Sequence, residues 1–229
     1  MPDDETTLFR QSWTLYDALS EMNYMFHREI YARVGALLKG VKSGYSLVDL
    51  GCGNARFLAP YLKVAPPARY TGIDLSPVAL KEAQTYLQGL PEVNLQCQDM
   101  LAAMESGSAR YDVIFTGYAV HHLQSGEKQR LLQACSRQLN PGGCLIMVDV
   151  VREEGQSRES YLENYLGTMR RSWTQVPPSQ LDEACTHVAS FDFPETLSSL
   201  RQMAKESSLI GPSVLEHHAQ HHVLVFSAE

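Results

Sequence analysis

An α/β fold with a doubly wound, seven-stranded, mostly parallel sheet whose last strand runs antiparallel is predicted by three features of the sequence. Between residues 46 and 150 short β-type runs alternate with helical patterns, the rhythm of strand, crossover helix and next parallel strand. Two further β-type runs close the chain, joined too tightly for a crossover helix, so they pair antiparallel. The hydrophobic content, 44% of 229 residues, supplies one sizeable core with a small cap.

The elements follow in order. From about Leu8 to Leu38 apolar residues recur at helical spacing (Leu15, Leu19, Met22, Phe26, Ile30, Val34, Leu37), which predicts an N-terminal helical cap over residues 1–40 with a break near Ser20 to Asn23. Residues 41–151 form the core. There, Ser46 to Leu50 is a strand followed by a helix from about Asn54. Tyr70 to Asp74 is a strand followed by a helix that opens on Ser76 as N-cap and Pro77 at the first helical position. Strands at Val93 to Cys97, Asp112 to Thr116 and Cys144 to Val150 follow. A helix from about Gly126 to Gln138 precedes the turn Asn140-Pro141-Gly142-Gly143. Residues 152–208 read as a helical lid insert with helices at Ser157 to Trp173, Pro178 to Ala189 and Pro194 to Ser207. Pro212 to His218 and His221 to Ala228 then complete the sheet as a hairpin within residues 209–229.

Charge and composition exclude several functions. Lys and Arg total 19 against 26 Asp and Glu, a net charge of −7, so no basic field is available to hold nucleic acid or an anionic membrane. The start MPDDETTLFR lacks the cationic and apolar regions of a signal peptide, and no apolar run approaches the roughly 18 residues of a membrane helix, so a cytoplasmic location is expected. Five cysteines, Cys52, Cys97, Cys135, Cys144 and Cys185, lie scattered without a CxxC pair and read as reduced thiols.

The stretch LVDLGCGNAR, residues 47–56, drops from the first strand into two glycines. This is the place where doubly wound folds bind ligands, and glycine there admits close backbone approach. An isolated G-x-G can also be a plain tight turn. A dinucleotide fingerprint needs a third glycine where Arg56 stands, which weakens an NAD reading. Asp49, two residues before the first glycine, and Asp74 at the second strand's end suit ribose hydroxyls and an amino group better than pyrophosphate.

These motifs resemble the class I S-adenosylmethionine-dependent methyltransferases of the small-molecule type. Val48-Asp49-Leu50-Gly51-Cys52-Gly53 is similar to the family's first motif, and Gly72-Ile73-Asp74-Leu75-Ser76 to its second acidic strand end. Asp99-Met100 matches the pair beside the adenine. Tyr111 to Thr116, then Ala119-Val120-His121-His122-Leu123 and Leu139 to Gly143, resemble the fourth strand, its active-site loop and the turn before the fifth strand. The match covers about residues 45 to 151, and the terminal hairpin fits the sixth and seventh strands. Ala55 departs from the pattern, standing where the family often has a third glycine. The resemblance implies a Rossmann-like methyltransferase fold, S-adenosylmethionine as cofactor with S-adenosylhomocysteine as product, and a small-molecule methyl acceptor. Asp49, Gly51, Cys52, Gly53, Asp74, Leu75, Asp99, Met100 and Thr116 are the expected cofactor contacts, and a monomer or homodimer is expected. Two alternatives stay open. A macromolecule-directed methyltransferase is disfavoured by the acidic balance and by Thr116-Gly117-Tyr118-Ala119, which stands where amino-methylating DNA enzymes carry an Asn/Asp-Pro-Pro-aromatic motif. A protein that binds S-adenosylmethionine without transferring methyl is the other.

In-line methyl transfer needs the nucleophile held about 3 Å from the methyl in a dry pocket, and a base only where the acceptor must lose a proton. His121 and His122 are adjacent and are not expected to face the pocket together. His121 is the candidate base, the alternative being a histidine satisfied within the fold. Asp149, at the end of the fifth strand, could steer an amine or assist the base, or serve only as a turn carboxylate. Arg152 could hold an acidic substrate or be an ordinary solvated arginine. Substrate contacts are expected from Tyr16 and His27 on a polar stripe of the N-terminal helix, from Tyr118, and from Tyr165 on the insert. The run HHAQHH, residues 217–222, reads as a surface hairpin because strand alternation sends adjacent histidines to opposite faces, and no metal is assigned.

Overall fold

The computed structural model describes residues 15, 16 and 19–228; the part of the expected N-terminal helix before Leu15 lies outside the described residues. Its strands are β1 (Ser46–Leu50), β2 (Arg69–Asp74), β3 (Val93–Cys97), β4 (Tyr111–Gly117), β5 (Leu139–Arg152), β6 (Glu195–Thr196), β7 (Leu209–His218) and β8 (His221–Ala228). They form one sheet in the order β3-β2-β1-β4-β5-β8-β7, with the two-residue β6 against the end of β5. Strands β1 to β5 are mutually parallel, and β8 runs antiparallel to both β5 and β7. The strand order reverses between β1 and β4, so a crevice opens at their carboxyl ends.

The helices are α1 (His27–Lys39), α2 (Ala59–Val64), α3 (Pro77–Tyr86), α4 (Met100–Ser106), α5 (Ser125–Gln138), α6 (Arg158–Ser172), α7 (Pro178–Phe191) and α8 (Leu197–Glu206). Strand alternation divides the core between the two faces of the sheet. Val48, Leu50, Ile114, Leu145, Met147 and Leu224 pack against Leu101 of α4, Leu131 of α5 and Leu200 of α8. Leu47, Val113, Phe115, Ile146 and Val148 pack against Ile30 and Val34 of α1, Leu62 of α2 and Ala83 of α3.

Local chemistry accounts for most element boundaries. Ser76 accepts the Ala79 amide at 3.2 Å and Pro77 occupies the first turn, as expected. The helix after β1 begins at Ala59 and not near Asn54, because Gly51, Gly53 and Ala55 all adopt left-handed φ (71°, 52° and 57°) and wind the chain into a loop. The Asn140 to Gly143 segment is drawn into β5 as an irregularity, with the register shifting between Tyr111 and Val113. The N-terminal helical path breaks where expected: residues 22–25 form a turn, and Asn23 and Phe26 have φ of 60° and 57° before α1 starts.

The insert divides. Helices α6 and α7 join the N-terminal segment in a third apolar cluster containing Leu19, Val150, Tyr165, Met169, Trp173 and Ala184, and Tyr24 stacks on Trp173 at 5.2 Å. This cluster covers the carboxyl end of β5. Helix α8 is not lid-like: Leu200 and Ala204 lie in the sheet core beside Leu209. The HHAQHH hairpin is a partial correction. His217 is exposed, but His221 is 1% exposed, because β8 runs between β5 and β7 and pairs His221 with Val150. Its ring sits among Phe26, Tyr118 and Tyr165. Among the described residues no helix is long and apolar enough to cross a membrane.

The segment joining α7 to α8 is anchored by buried charge. Lys128 of α5 donates to the Phe193 carbonyl and faces Glu195 at 3.5 Å, while Arg152 Nη2 stands 4.0 Å from Glu195. Lys128→Ala leaves Glu195 with the Ser125 hydroxyl and the more distant Arg152 but without its lysine counter-charge, and a buried charge that loses its partner costs about 3 kcal/mol. A lowered chemical-denaturation midpoint is expected, with part of the loss recovered by adding Glu195→Gln.

Candidate active site

A cavity of about 400 Å³ lies at the switch point. Its first half is built by the loop after β1 and the ends of β2 and β3. A Cβ on Gly51 would stand 2.6 Å from the Ala119 Cβ, so the loop can pass this close to the β4 end only as glycine. Asp74 fixes the loop from the other side: one carboxylate oxygen accepts the Gly53 amide at 2.8 Å and the other the Ser76 amide at 2.8 Å. Burial pushes its carboxyl above the ordinary range against the pull of these amides. Asp49 accepts the Tyr70 hydroxyl at 2.8 Å and lines the cavity. Burial raises its pKa to about 7, with Asp74 adding to the rise and Tyr70 opposing it.

The second half is apolar and aromatic, with Leu19, Met25, Tyr165, Met169, Trp173 and Val188 supplied by the N-terminal segment and the insert. Arg56 ties that segment to the glycine loop, donating to Glu21 at 2.6 Å and Ser20 at 2.9 Å.

Where the halves meet, the 3-10 turn Val120–His122 presents His121. Asp149, at the end of β5, accepts the His121 backbone amide at 2.9 Å through one oxygen and the ring Nδ1 through the other. That partner assigns the proton to Nδ1 and directs Nε2 outward. Burial alone would lower the His121 pKa; the charges of Asp149 and Asp192, with the Asp149 hydrogen bond, outweigh it and move the pKa upward. His122 lies with its ring 4.0 Å from His121, and Asp192 stands 3.8 Å from His121 Nε2. Burial, then His121 and His187, drive the His122 pKa well below its ordinary value. Burial raises that of Asp192 to about 6.

The cavity brings together most of the residues expected from sequence: Asp49, Gly51, Cys52, Gly53, Asp74, Leu75, Asp99 and Met100 on the first side, Tyr16, Tyr118 and Tyr165 on the second, and His121 between. Asp99 has a further task, its carboxylate capping α4 through the Ala102 amide at 2.7 Å. Four expected residues do not line the cavity. Thr116 alternates to the other sheet face and is buried there, opposite Leu50. His27 is buried behind the wall, 3.3 Å from the Tyr16 hydroxyl and beside the Phe57 and Tyr118 rings. Arg152 donates to the carbonyls of Pro194 and Gln156 and so anchors the insert. Asp149 lies beneath His121, holding its backbone amide and its ring. The expectation that His121 and His122 cannot share the pocket fails, since the tight turn sets both rings on its wall. Asp192 and His187 had no sequence signal: they come from the end of α7, about 70 positions from His121, and only tertiary packing brings them there.

A glycine loop on an acidic strand end, at the switch point of this strand order, defines a nucleoside-cofactor site of the doubly wound class. Residues 47–143 match the family model described as a methyltransferase domain. An uncharacterised methyltransferase of Synechocystis sp. is 29% identical over 118 residues, 49% of this chain and 50% of that protein. A ubiquinone biosynthesis O-methyltransferase of Albidiferax ferrireducens is 30% identical over 105 residues, 44% of this chain and 39% of that one. The matched stretches thus span half or less of these relatives' own lengths. The magnesium protoporphyrin IX methyltransferase of Synechocystis, solved with S-adenosylhomocysteine bound, shares the fold with a TM-score of 0.66 at 14% identity, covering 98% of this chain and 100% of that one. Residues 47–143 thus carry the match to a methyltransferase domain, and the relatives and the shared fold support the class I S-adenosylmethionine-dependent methyltransferase superfamily, with S-adenosylmethionine as cofactor.

Two predictions concern that cofactor. Asp74→Ala removes the cavity-lining carboxylate expected to meet the ribose hydroxyls and should weaken S-adenosylhomocysteine binding by roughly 1.5–3 kcal/mol in calorimetry; an unchanged Kd would take Asp74 out of the site. Burial raises the Asp49 pKa to about 7 in the free protein, and pairing with a ligand ammonium group would require its ionised form. Affinity should therefore fall as pH drops below 7, by up to about tenfold per unit, with proton release measurable at pH 6.5 in buffers of different ionisation enthalpy.

Proposed function

We propose that this protein transfers the methyl group of S-adenosylmethionine to a hydroxyl of a small, largely apolar acceptor. The observation that carries the reading is the Asp149-His121 pair at the boundary between the cofactor half and the aromatic half of one cavity. An acceptor lying against Tyr165, Met169 and Trp173 would bring its oxygen to this boundary. The O–CH3 bond forms as the S–CH3 bond breaks, the electron pair stays on sulfur, and the acceptor's proton passes to His121 Nε2. Asp149 and Asp192 then stabilise the imidazolium, as their upward pull on the His121 pKa requires. Proximity supplies the rest, because in-line transfer between held partners needs little other chemistry. Closure of α6, α7 and the N-terminal segment would exclude water.

The O-methyltransferase named among the relatives supports a hydroxyl on a small molecule. A macromolecular acceptor is disfavoured by the net charge of −7 and by a site reached only through a cavity. In chelator-treated protein, His121→Ala should lower turnover roughly 10²- to 10⁴-fold while S-adenosylhomocysteine affinity stays nearly constant. Incubation with methyl-labelled cofactor and a metabolite extract identifies the acceptor by mass spectrometry. A labelled small O-methyl product is expected. Label confined to protein or nucleic acid would favour a macromolecular acceptor, and no label at all a binding protein without transfer.

A further inference from the structure

We propose that His121, His122 and Asp192 form a binding site for one divalent transition-metal ion on the cavity wall. Each offers one ligand atom, and these atoms lie within 4.8 Å of one another. Asp192 Oδ1 is 3.8 Å from His121 Nε2 and 3.7 Å from His122 Nδ1. Those gaps are too long for hydrogen bonds between the groups. They are close to the donor separation around an ion with bonds of about 2.0–2.2 Å, which small side-chain rotations would complete. Asp192 Oδ1 is fully buried in a residue only 4% exposed and accepts no hydrogen bond. A buried carboxylate oxygen left this way is costly, and a cation would satisfy it.

The outer shell matches as well. A metal-ligating histidine ordinarily donates its second ring nitrogen to a carboxylate, which fixes the tautomer and turns the lone pair toward the ion. Asp149 does this for His121. His122 Nδ1 lies 3.2 Å from the Phe191 carbonyl and would exchange that contact for the ion. Three protein ligands leave a fourth position open to the cavity, the arrangement of reactive and not of structural sites. Two imidazoles and one carboxylate suit Zn2+ or Fe2+ in preference to Mg2+, whose ligands are oxygen. An ion on Nε2 displaces the proton-accepting role of His121 and gives an acceptor oxygen a cation to bind instead. The site stands on side-chain geometry and does not depend on methyl transfer.

The test uses the full chain, stripped with chelator and titrated with Zn2+ by calorimetry in the absence of cofactor and acceptor. One equivalent should bind, and Asp192→Asn and His122→Ala should each weaken it at least tenfold. Asp149→Asn should weaken it about 10- to 100-fold, and His217→Ala, on the exposed hairpin, should leave it unchanged. Thermal unfolding of each variant in chelator confirms that it is folded. In the unaltered protein, Co2+ should give the visible absorption of a low-coordinate nitrogen and oxygen site. Absence of one-equivalent binding, binding that survives both Asp192→Asn and His122→Ala, or binding lost with His217→Ala would overturn the proposal.

Discussion

The carboxylate of Asp74 is the constraint on which the cofactor side of the molecule depends. One oxygen holds the Gly53 amide and the other the Ser76 amide, so a single side chain joins the loop after β1 to the start of α3. With the Gly51 and Cys52 amides on the Ile73 carbonyl, it holds against β2 a loop whose residues 51, 53 and 55 are left-handed, one of them Ala55. The cost is a carboxylate driven above its ordinary pKa by burial, which a hydroxyl-rich ligand would relieve. Strain at Ala55 and charge at Asp74 are thus stored where a ligand binds, as expected of sites whose geometry is over-determined by their surroundings.

Chemistry is positioned on the other side by the same device. Asp149 ends β5 and takes both the backbone and the ring of His121, so the turn after β4 is registered against the neighbouring strand. The sheet supplies two carboxylates at two strand ends, one setting the glycine loop and one setting the His121 ring. What lies above them is contributed by chain segments remote in sequence. Arg56 holds the N-terminal segment and Lys128 the segment carrying Asp192.

The fold was largely legible because β1 to β5 alternate with helices at the spacing of a parallel α/β sheet and the terminal hairpin closes its edge, while Ser76-Pro77 marks a helix start by local chemistry alone. The cavity wall after β1 and β2 was legible for the same reason: Asp49, Gly51, Gly53 and Asp74 are contiguous with strand ends. The misses are those that need tertiary information. Thr116 was displaced by the phase of strand alternation, and Arg152 and His27 by burial against elements that no local pattern connects to them. Asp192 was invisible because it arrives from the far end of the insert. His221 read as surface because a hairpin of histidines looks polar, whereas its strand lies between two others.

The most direct test is a crystal structure of the protein with S-adenosylhomocysteine. The account predicts the ribose hydroxyls within hydrogen-bonding distance of Asp74, the amino group toward Asp49, and the sulfur turned to the boundary where His121 faces the aromatic half. A nucleoside lying away from Asp74, or a sulfur facing away from His121 with the aromatic half closed to it, would contradict it.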